Sequence, residues 1–252
     1  MLTTMKNYAL TSLFCLLVLK SSFGAIKNGY ESEIMSARQS LRALYALFSS
    51  SKTLTTSQQQ VLKSKIDQHV DFISNYQLTA QLLEQFRLIS PGLYDEIDSI
   101  KDKTGRTVDV YVKFVHANLL PHPLSALTRV VQHEDDEHCS MSEYGINTVS
   151  ISVAIEKKSL RLLAHEFGHV TYLVPNISAY LKYFITYSRS IRPASTHFGH
   201  HPGDPSGLNA QAYETKFRGE YFHFVKDKNS MIYNPLAVQQ RTKKDLLKGS
   251  IF

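Results

Sequence analysis

The sequence predicts an α+β fold, with a helical segment over residues 25–105 ahead of a mixed region over residues 106–252. Apolar residues recur at helical spacing through most of residues 31–101, whereas residues 107–116 and 148–155 alternate apolar and polar side chains as half-buried strands do. Of the 252 residues, 43% are hydrophobic and 20% are charged, which is a composition that supports a normal core.

Residues 1–24 have the layout of a secretory signal peptide. Lys6 precedes the apolar run 8–19, and the small residues Ser22 and Gly24 precede the expected cleavage point. No later apolar stretch reaches the roughly 18 residues that a bilayer span requires. We therefore expect a secreted or periplasmic protein with no stable membrane span after cleavage.

Cleavage would change the charge and the number of cysteines. Lys6 and Lys20 would leave, so that 28 basic residues become 26 against 22 acidic ones, a net charge of +4. Such a mild excess, spread along the chain, predicts no nucleic-acid partner, because that would need a basic stripe or a recognisable module. Cys15 would also leave, and Cys139 alone cannot form an internal disulfide.

The N-terminal segment is predicted to be mostly helical. Residues 31–50 place Ile34, Leu41 and Phe48 on one face, which is typical of an amphipathic helix. A second helix is predicted over residues 55–76, and shorter ones over 77–89 and 92–101.

The mixed region begins with strands and ends with helices. Strands are predicted over residues 107–116, 127–132 and 148–155. The helix that follows is expected to begin near Lys157 and to end at Pro175, because proline cannot continue a helix. Residues 190–207 form a loop rich in proline, glycine and histidine. Further helices are predicted over 177–189, 208–226 and 235–247.

The helix near Lys157 carries the run His165-Glu166-Phe167-Gly168-His169. Histidines four residues apart lie on the same helix face, so His165 and His169 can bind one Zn²⁺ ion through neutral imidazole nitrogens. Glu166 is rotated by about 100° from His165, so it misses the metal but can reach a water beside it and act as the general base. Gly168 allows another segment to approach closely.

The run Leu162–His169, with a strand before it, resembles the catalytic helix of the zincin metallopeptidases. The likeness covers roughly residues 145–225 and includes the lethal-factor-like proteases and the HExxH domains of bacterial toxins and effectors. It implies a zincin-like domain over residues 106–252, with a small mixed sheet, zinc as cofactor and a peptide or protein as substrate. It also implies that residues 148–155 line the cleft and pair with an extended substrate.

A catalytic zinc site normally has three protein ligands and one open position. The metzincin subclass is excluded, since Tyr172 and Pro175 stand where it has glycine and histidine. The gluzincin pattern places a glutamate on a later helix. Glu214 is the favoured third ligand because Ala210 and Ala212 would let its helix pack closely.

Other third ligands stay open. They are Glu220, Asp204 and a histidine of the loop 190–207. Arg218 is four residues after Glu214, where gluzincins often have an acid, and it is a candidate salt-bridge partner for Glu214.

Several side chains could contact the substrate or stabilise an oxyanion, as histidine and tyrosine donors do in acyl-transfer sites. The alternative for the histidines is a solvated loop in which they have no role. The candidates are His197, His200, His201 and Tyr213.

Residues 133–139 are dense in metal-ligand types. This run, from His133 to Cys139, could hold a second metal, or Cys139 could occlude the zinc, or the run could be an acidic surface loop. A cysteine protease built on Cys139 lacks any supporting motif.

Two alternatives to a zinc peptidase follow from the same motif. One is an exported, catalytically degenerate zinc-binding protein that acts by recognising a partner, and the other is an amidase for small substrates. The presence of Glu166 favours an enzyme, because metal binding alone does not need it.

Overall fold

The computed structural model describes residues 25–50, 54–131, 148–156, 158–190, 203–228 and 235–247. It contains a four-stranded sheet in the order β1-β2-β4-β3, in which β1, β2 and β4 are parallel and β3 runs antiparallel to β4. The strands are β1 (Ile26–Asn28), β2 (Asp109–Val115), β3 (Ala126–Val131) and β4 (Thr148–Ala154). The α+β class predicted from the sequence is confirmed. The predicted signal peptide 1–24 and the run 133–139 lie outside the described residues.

Six helices accompany the sheet in the described ranges. Among them, none has both the length and the apolar character that a membrane crossing requires. Short 3-10 turns occupy Glu31–Glu33 and Ala117–Leu119. The helices are α1 (Ile34–Ser50), α2 (Thr56–Ile89), α3 (Pro91–Asp98), α4 (Ser159–Ser190), α5 (Pro205–Lys228) and α6 (Pro235–Leu247).

Helix α2 is one helix of 34 residues, where the sequence predicted two. A capping box begins it, because the Thr55 hydroxyl accepts from the Gln58 backbone N–H while the Gln58 side chain accepts from the Thr55 backbone N–H. The buried residues of its first half and of its second half pack in different hydrophobic clusters. Val70 lies in a cluster with α1, whereas Leu82 and Phe86 lie in the core under the sheet. Packing at both ends holds the helix continuous.

The sequence predicted one helix that ends at Pro175 and another over 177–189, and the helical geometry of α4 does break between them. Helix α4 continues to Ser190 across a kink at Asn176, where φ is −115° and ψ is 17°. Proline lacks the N–H that the preceding turn needs and its ring clashes with that turn, so a kink is the expected distortion. Val174 and Ile177 are both buried in the main core, which keeps the two halves of α4 packed on the same body.

The main core covers one face of the sheet. Alternate residues of β2 and β4 point into it and meet α2, α4 and α5. The Phe86 ring contacts Phe167 edge to face, with centroids 5.2 Å apart, and stacks on Phe217 at 4.8 Å. This core joins side chains from both sides of residue 106, and the strand β1 comes from the segment that the sequence predicted to be mostly helical.

Helices α4 and α5 approach each other at two small residues. A Cβ atom on Gly168 would lie 2.5 Å from Ala210 Cα and 2.9 Å from Ala210 N. Asn209 donates hydrogen bonds to Gly168 O at 2.7 Å and to Thr171 Oγ1 at 2.8 Å. The close approach expected from Gly168 and Ala210 is confirmed, and it brings the first turns of α5 over the motif on α4.

We expect Gly168→Ala to destabilise the protein by about 1–3 kcal/mol, because the new methyl group would meet backbone atoms of α5. This loss should exceed the gain of about 1 kcal/mol that alanine brings over glycine inside a helix. Gly219→Ala on α5 is the matched control, since a Cβ there has nothing within 4 Å and should stabilise. Urea unfolding of the two variants measures the difference. Equal stabilisation by both substitutions would contradict the close approach.

Candidate metal centre

His165, Glu166 and His169 form a compact group on α4. Each offers one ligand atom, and these three atoms all lie within 4.8 Å of one another. Glu166 and His169 are buried, with 5% and 6% exposure, and the two imidazole rings stand edge to face with centroids 4.9 Å apart. In the part of the chain that the structure describes, no other group of three or more metal-ligand side chains meets the same distance limit.

Both histidines are oriented by hydrogen-bonding contacts at Nδ1. His165 Nδ1 lies 3.2 Å from Glu214 Oε2, and His169 Nδ1 lies 2.8 Å from Ser206 Oγ. A metal-ligating histidine usually gives its second ring nitrogen to such a partner, which fixes the tautomer and the ring plane. If the site holds a metal, Nε2 of each ring is therefore the atom placed to bind it. Two imidazoles with a carboxylate beside them are a donor set that fits Zn²⁺.

Glu214 contacts the candidate site, but through His165. Besides its contact with Nδ1, its Oε1 accepts a hydrogen bond from Arg161 Nε at 2.5 Å. Arg161 therefore has the salt bridge for which Arg218 was a candidate. Glu214 is not in the group whose ligand atoms lie within 4.8 Å of one another, so its assignment as the third ligand stays a prediction.

The two carboxylates considered as alternatives have structural partners. Asp204 Oδ1 accepts from two backbone N–H groups in the first turn of α5, at 2.8 and 3.2 Å, and its Oδ2 accepts from the Tyr180 hydroxyl at 3.1 Å. Asp204 therefore acts as the N-cap of α5. Glu220 accepts a hydrogen bond from the Ser90 hydroxyl, which lies between α2 and α3.

Glu166 is held against the sheet by β3. The Thr128 hydroxyl donates a hydrogen bond to Glu166 Oε2 at 2.5 Å. Ala126, Thr128 and Val130 share the face of β3 that looks towards the core, because side chains alternate along a strand. Burial raises the pKa of Glu166 to about 7, while the Thr128 hydrogen bond acts in the opposite direction by stabilising the carboxylate.

Strand β4 is an inner strand, so the expectation that residues 148–155 pair with an extended substrate is wrong. Its backbone pairs with β2 on one side and with β3 on the other. Both rows of hydrogen-bonding groups are therefore used within the sheet. Within the described ranges, the strand edge nearest Glu166 that has no neighbour belongs to β3.

The four predicted substrate contacts divide into two sets. The Tyr213 hydroxyl bonds with Glu96 and Thr171, and its ring packs on the core, where burial raises the pKa of the phenol above its ordinary value. These contacts occupy the hydroxyl with neighbours on α3 and α4. The three histidines lie outside the described residues and are His197, His200 and His201.

Sequence reasoning missed Thr128, Ser206 and Arg161. The start of α5 was predictable from Asp204, a good N-cap, followed by proline at the first helical position, and that start would have put Ser206 in the first turn. Arg161 lies four residues before His165 and therefore on its face. Thr128 had no local signal, because its contact depends on how β3 pairs with β4.

Glu166 should make the stability of the metal-free protein depend on pH. Its pKa is about 7 in the folded chain against an ordinary value of 4.5. Its contribution to the free energy of unfolding should be full below 4.5 and should be lost progressively as the pH rises from 4.5 through about 7, because over that window the unfolded chain releases a proton that the folded chain still holds. Glu166→Gln cannot ionise and should lack this dependence.

The measurement is urea unfolding of chelator-treated wild type and Glu166→Gln from pH 5 to 8. Other titrating groups are common to both proteins, so the difference between their free energies isolates Glu166. A difference that stays constant across the range would rule out the raised pKa.

No family model, curated protein or solved structure matches the chain. The features that bear on function are therefore those of the site itself. Two oriented histidines and a buried carboxylate lie together on α4, beside the edge of β3, which has no neighbouring strand among the described residues.

Proposed function

We propose that the protein is an exported zinc-dependent metallopeptidase that hydrolyses peptide bonds with Glu166 as general base. The observation that carries the proposal is the group formed by His165, Glu166 and His169, in which both Nδ1 atoms have hydrogen-bonding partners of the kind that metal-ligating histidines have. A buried carboxylate immediately beside such a pair suits proton transfer better than it suits a purely structural metal site.

Zinc bound by His165 and His169 would acidify a water molecule and polarise the scissile carbonyl. The protein's own side chains would then transfer the proton of that water. Glu166 takes it from the attacking water and delivers it to the leaving amine. Thr128 keeps the carboxylate turned towards one position.

Strand β3 is the proposed docking edge for the substrate. An extended peptide can add to an exposed strand through backbone hydrogen bonds. Since Thr128 lies on β3 and bonds Glu166, a peptide on that edge would run past the general base. This arrangement supports a peptide or protein as the substrate.

We expect Glu166→Gln to retain zinc while its peptidase activity falls by at least about 10²-fold, because the variant keeps both imidazoles and loses the proton acceptor. Zinc content by mass spectrometry and cleavage of a peptide library are the two measurements. Glu84→Gln, at an exposed ion pair on α2, is the matched control and should change neither.

Activity that survives in Glu166→Gln would refute the mechanism. Stoichiometric zinc in the wild type with no cleavage of any library peptide would instead favour the alternative, a degenerate zinc-binding protein that recognises a partner. Absence of zinc binding in the wild type would refute both.

The role of Glu214 can be read from two substitutions. Glu214→Ala should weaken zinc affinity by about 10–100-fold, because it removes the partner of His165 Nδ1. Glu214→Gln retains an oxygen that can accept a hydrogen bond from His165 Nδ1. If Glu214 only positions His165, zinc affinity should therefore fall less in Glu214→Gln than in Glu214→Ala. Equal losses in the two variants would identify Glu214 as the third ligand. Competition with a chromophoric chelator measures the affinities, and Glu220→Gln is the control.

A further inference from the structure

A cleft of about 550 Å³ lies beside the candidate metal centre. Its walls come from the start of α4, the second half of α5 and one residue of α2, Gln85. This volume falls within the range of pockets that bury a small ligand or a few residues of a peptide. None of its lining residues takes part in the proposed chemistry, except that Arg161 bonds Glu214.

Four cationic side chains line the cleft. Arg161 pairs with Glu214, as described above. The other three, Lys158, Arg218 and Lys226, form no ion pair with any residue in the described ranges. Like charges around a low-dielectric cleft repel one another and create a positive potential, which a bound anion relieves. The charge of this cleft therefore fits a carboxylate.

The second feature of the cleft is an aromatic wall. Phe222 is 65% exposed, which is unusual for a large apolar side chain, and Tyr221 lies beside it in the lining. Behind them Phe217 is only 2% exposed and stacks on Phe86, which fixes the wall to the core. A rigid aromatic surface next to cations suits a ligand that carries an apolar group beside an acidic one.

The cleft adjoins the metal centre along one face of α4. Arg161 is one helical turn before His165, about 6 Å along the axis. It lines the cleft and also bonds Glu214, which contacts His165 Nδ1. A chain bound in the cleft can thus continue along this face towards His165, and Glu166 lies about 100° round the helix from His165.

We propose that the cleft binds an acidic segment of a peptide substrate, with a carboxylate near Lys158, Arg218 and Lys226 and an apolar side chain on Phe222. This inference rests on the proposed peptidase function. A peptide is favoured over an anionic lipid because a polymer bound here extends to the metal centre, whereas a lipid would bring no scissile amide to it.

The test is binding without turnover. Glu166→Gln protein is titrated into a fluorescein-labelled hexapeptide of alternating glutamate and phenylalanine, and fluorescence polarisation is recorded. A lysine–phenylalanine hexapeptide is the charge control. We expect the acidic peptide to bind at least about tenfold more tightly, and added salt to weaken its binding, because exposed charges are screened.

Two substitutions added to that protein locate the site. Arg218→Glu should weaken the acidic peptide by about tenfold, while Lys216→Glu, an exposed residue two positions away that does not line the cleft, should change it less than about twofold. Phe222→Ala should weaken binding as well, with Leu208→Ala, 56% exposed near the start of α5, as its control. Circular dichroism checks that each variant is folded.

Equal binding of the two peptides, or binding unchanged in both Arg218→Glu and Phe222→Ala, would overturn the proposal. The proposal would also be overturned if the protein bound oleate, lost that binding in Arg218→Glu, and did not bind the acidic peptide. Zinc content and cleavage are measured separately on the wild type. If the acidic peptide binds as expected but nothing is cleaved, the peptidase function fails while the acidic-peptide site stands.

Discussion

The distance between α4 and α5 is set by Gly168, whose Cα faces the backbone of Ala210 with no room for a methyl group. Interiors are close-packed, so a contact of this kind permits only a narrow range of helix positions. Everything that α5 brings to the motif depends on it. Ser206 lies one turn before Ala210 and meets His169, and Glu214 lies one turn after Ala210 and meets His165. One small residue thus orients both imidazoles.

The sheet supplies the second constraint, which is electrostatic. Glu166 is buried where α4 meets β3, and desolvation disfavours its charged form. Thr128 offsets part of that cost by donating to the carboxylate. The same contact ties the candidate general base to the strand whose edge is uncovered among the described residues. The hydrogen bond between Thr128 and Glu166 would therefore position the general base relative to a peptide bound at the edge of β3.

A line of polar contacts runs from the cleft to the candidate metal centre, through Arg161, Glu214 and His165. Glu214 thus uses one carboxylate oxygen for Arg161 and the other for His165. Arg218 has the same charge but lines the cleft without an ion pair to any described residue. Of these two arginines on neighbouring helices, one therefore orients the site and the other is placed to meet an acidic ligand.

The sequence by itself determined the local features. Helical spacing placed His165 and His169 on one face, and alternation located β2 and β4 to within two residues, because both patterns repeat over a few residues. Only the tertiary structure decided that Glu214 contacts Nδ1, that Thr128 meets Glu166, and that β4 lies inside the sheet. Each of these depends on which distant segments pack together, and no short-range period in a single chain encodes that choice.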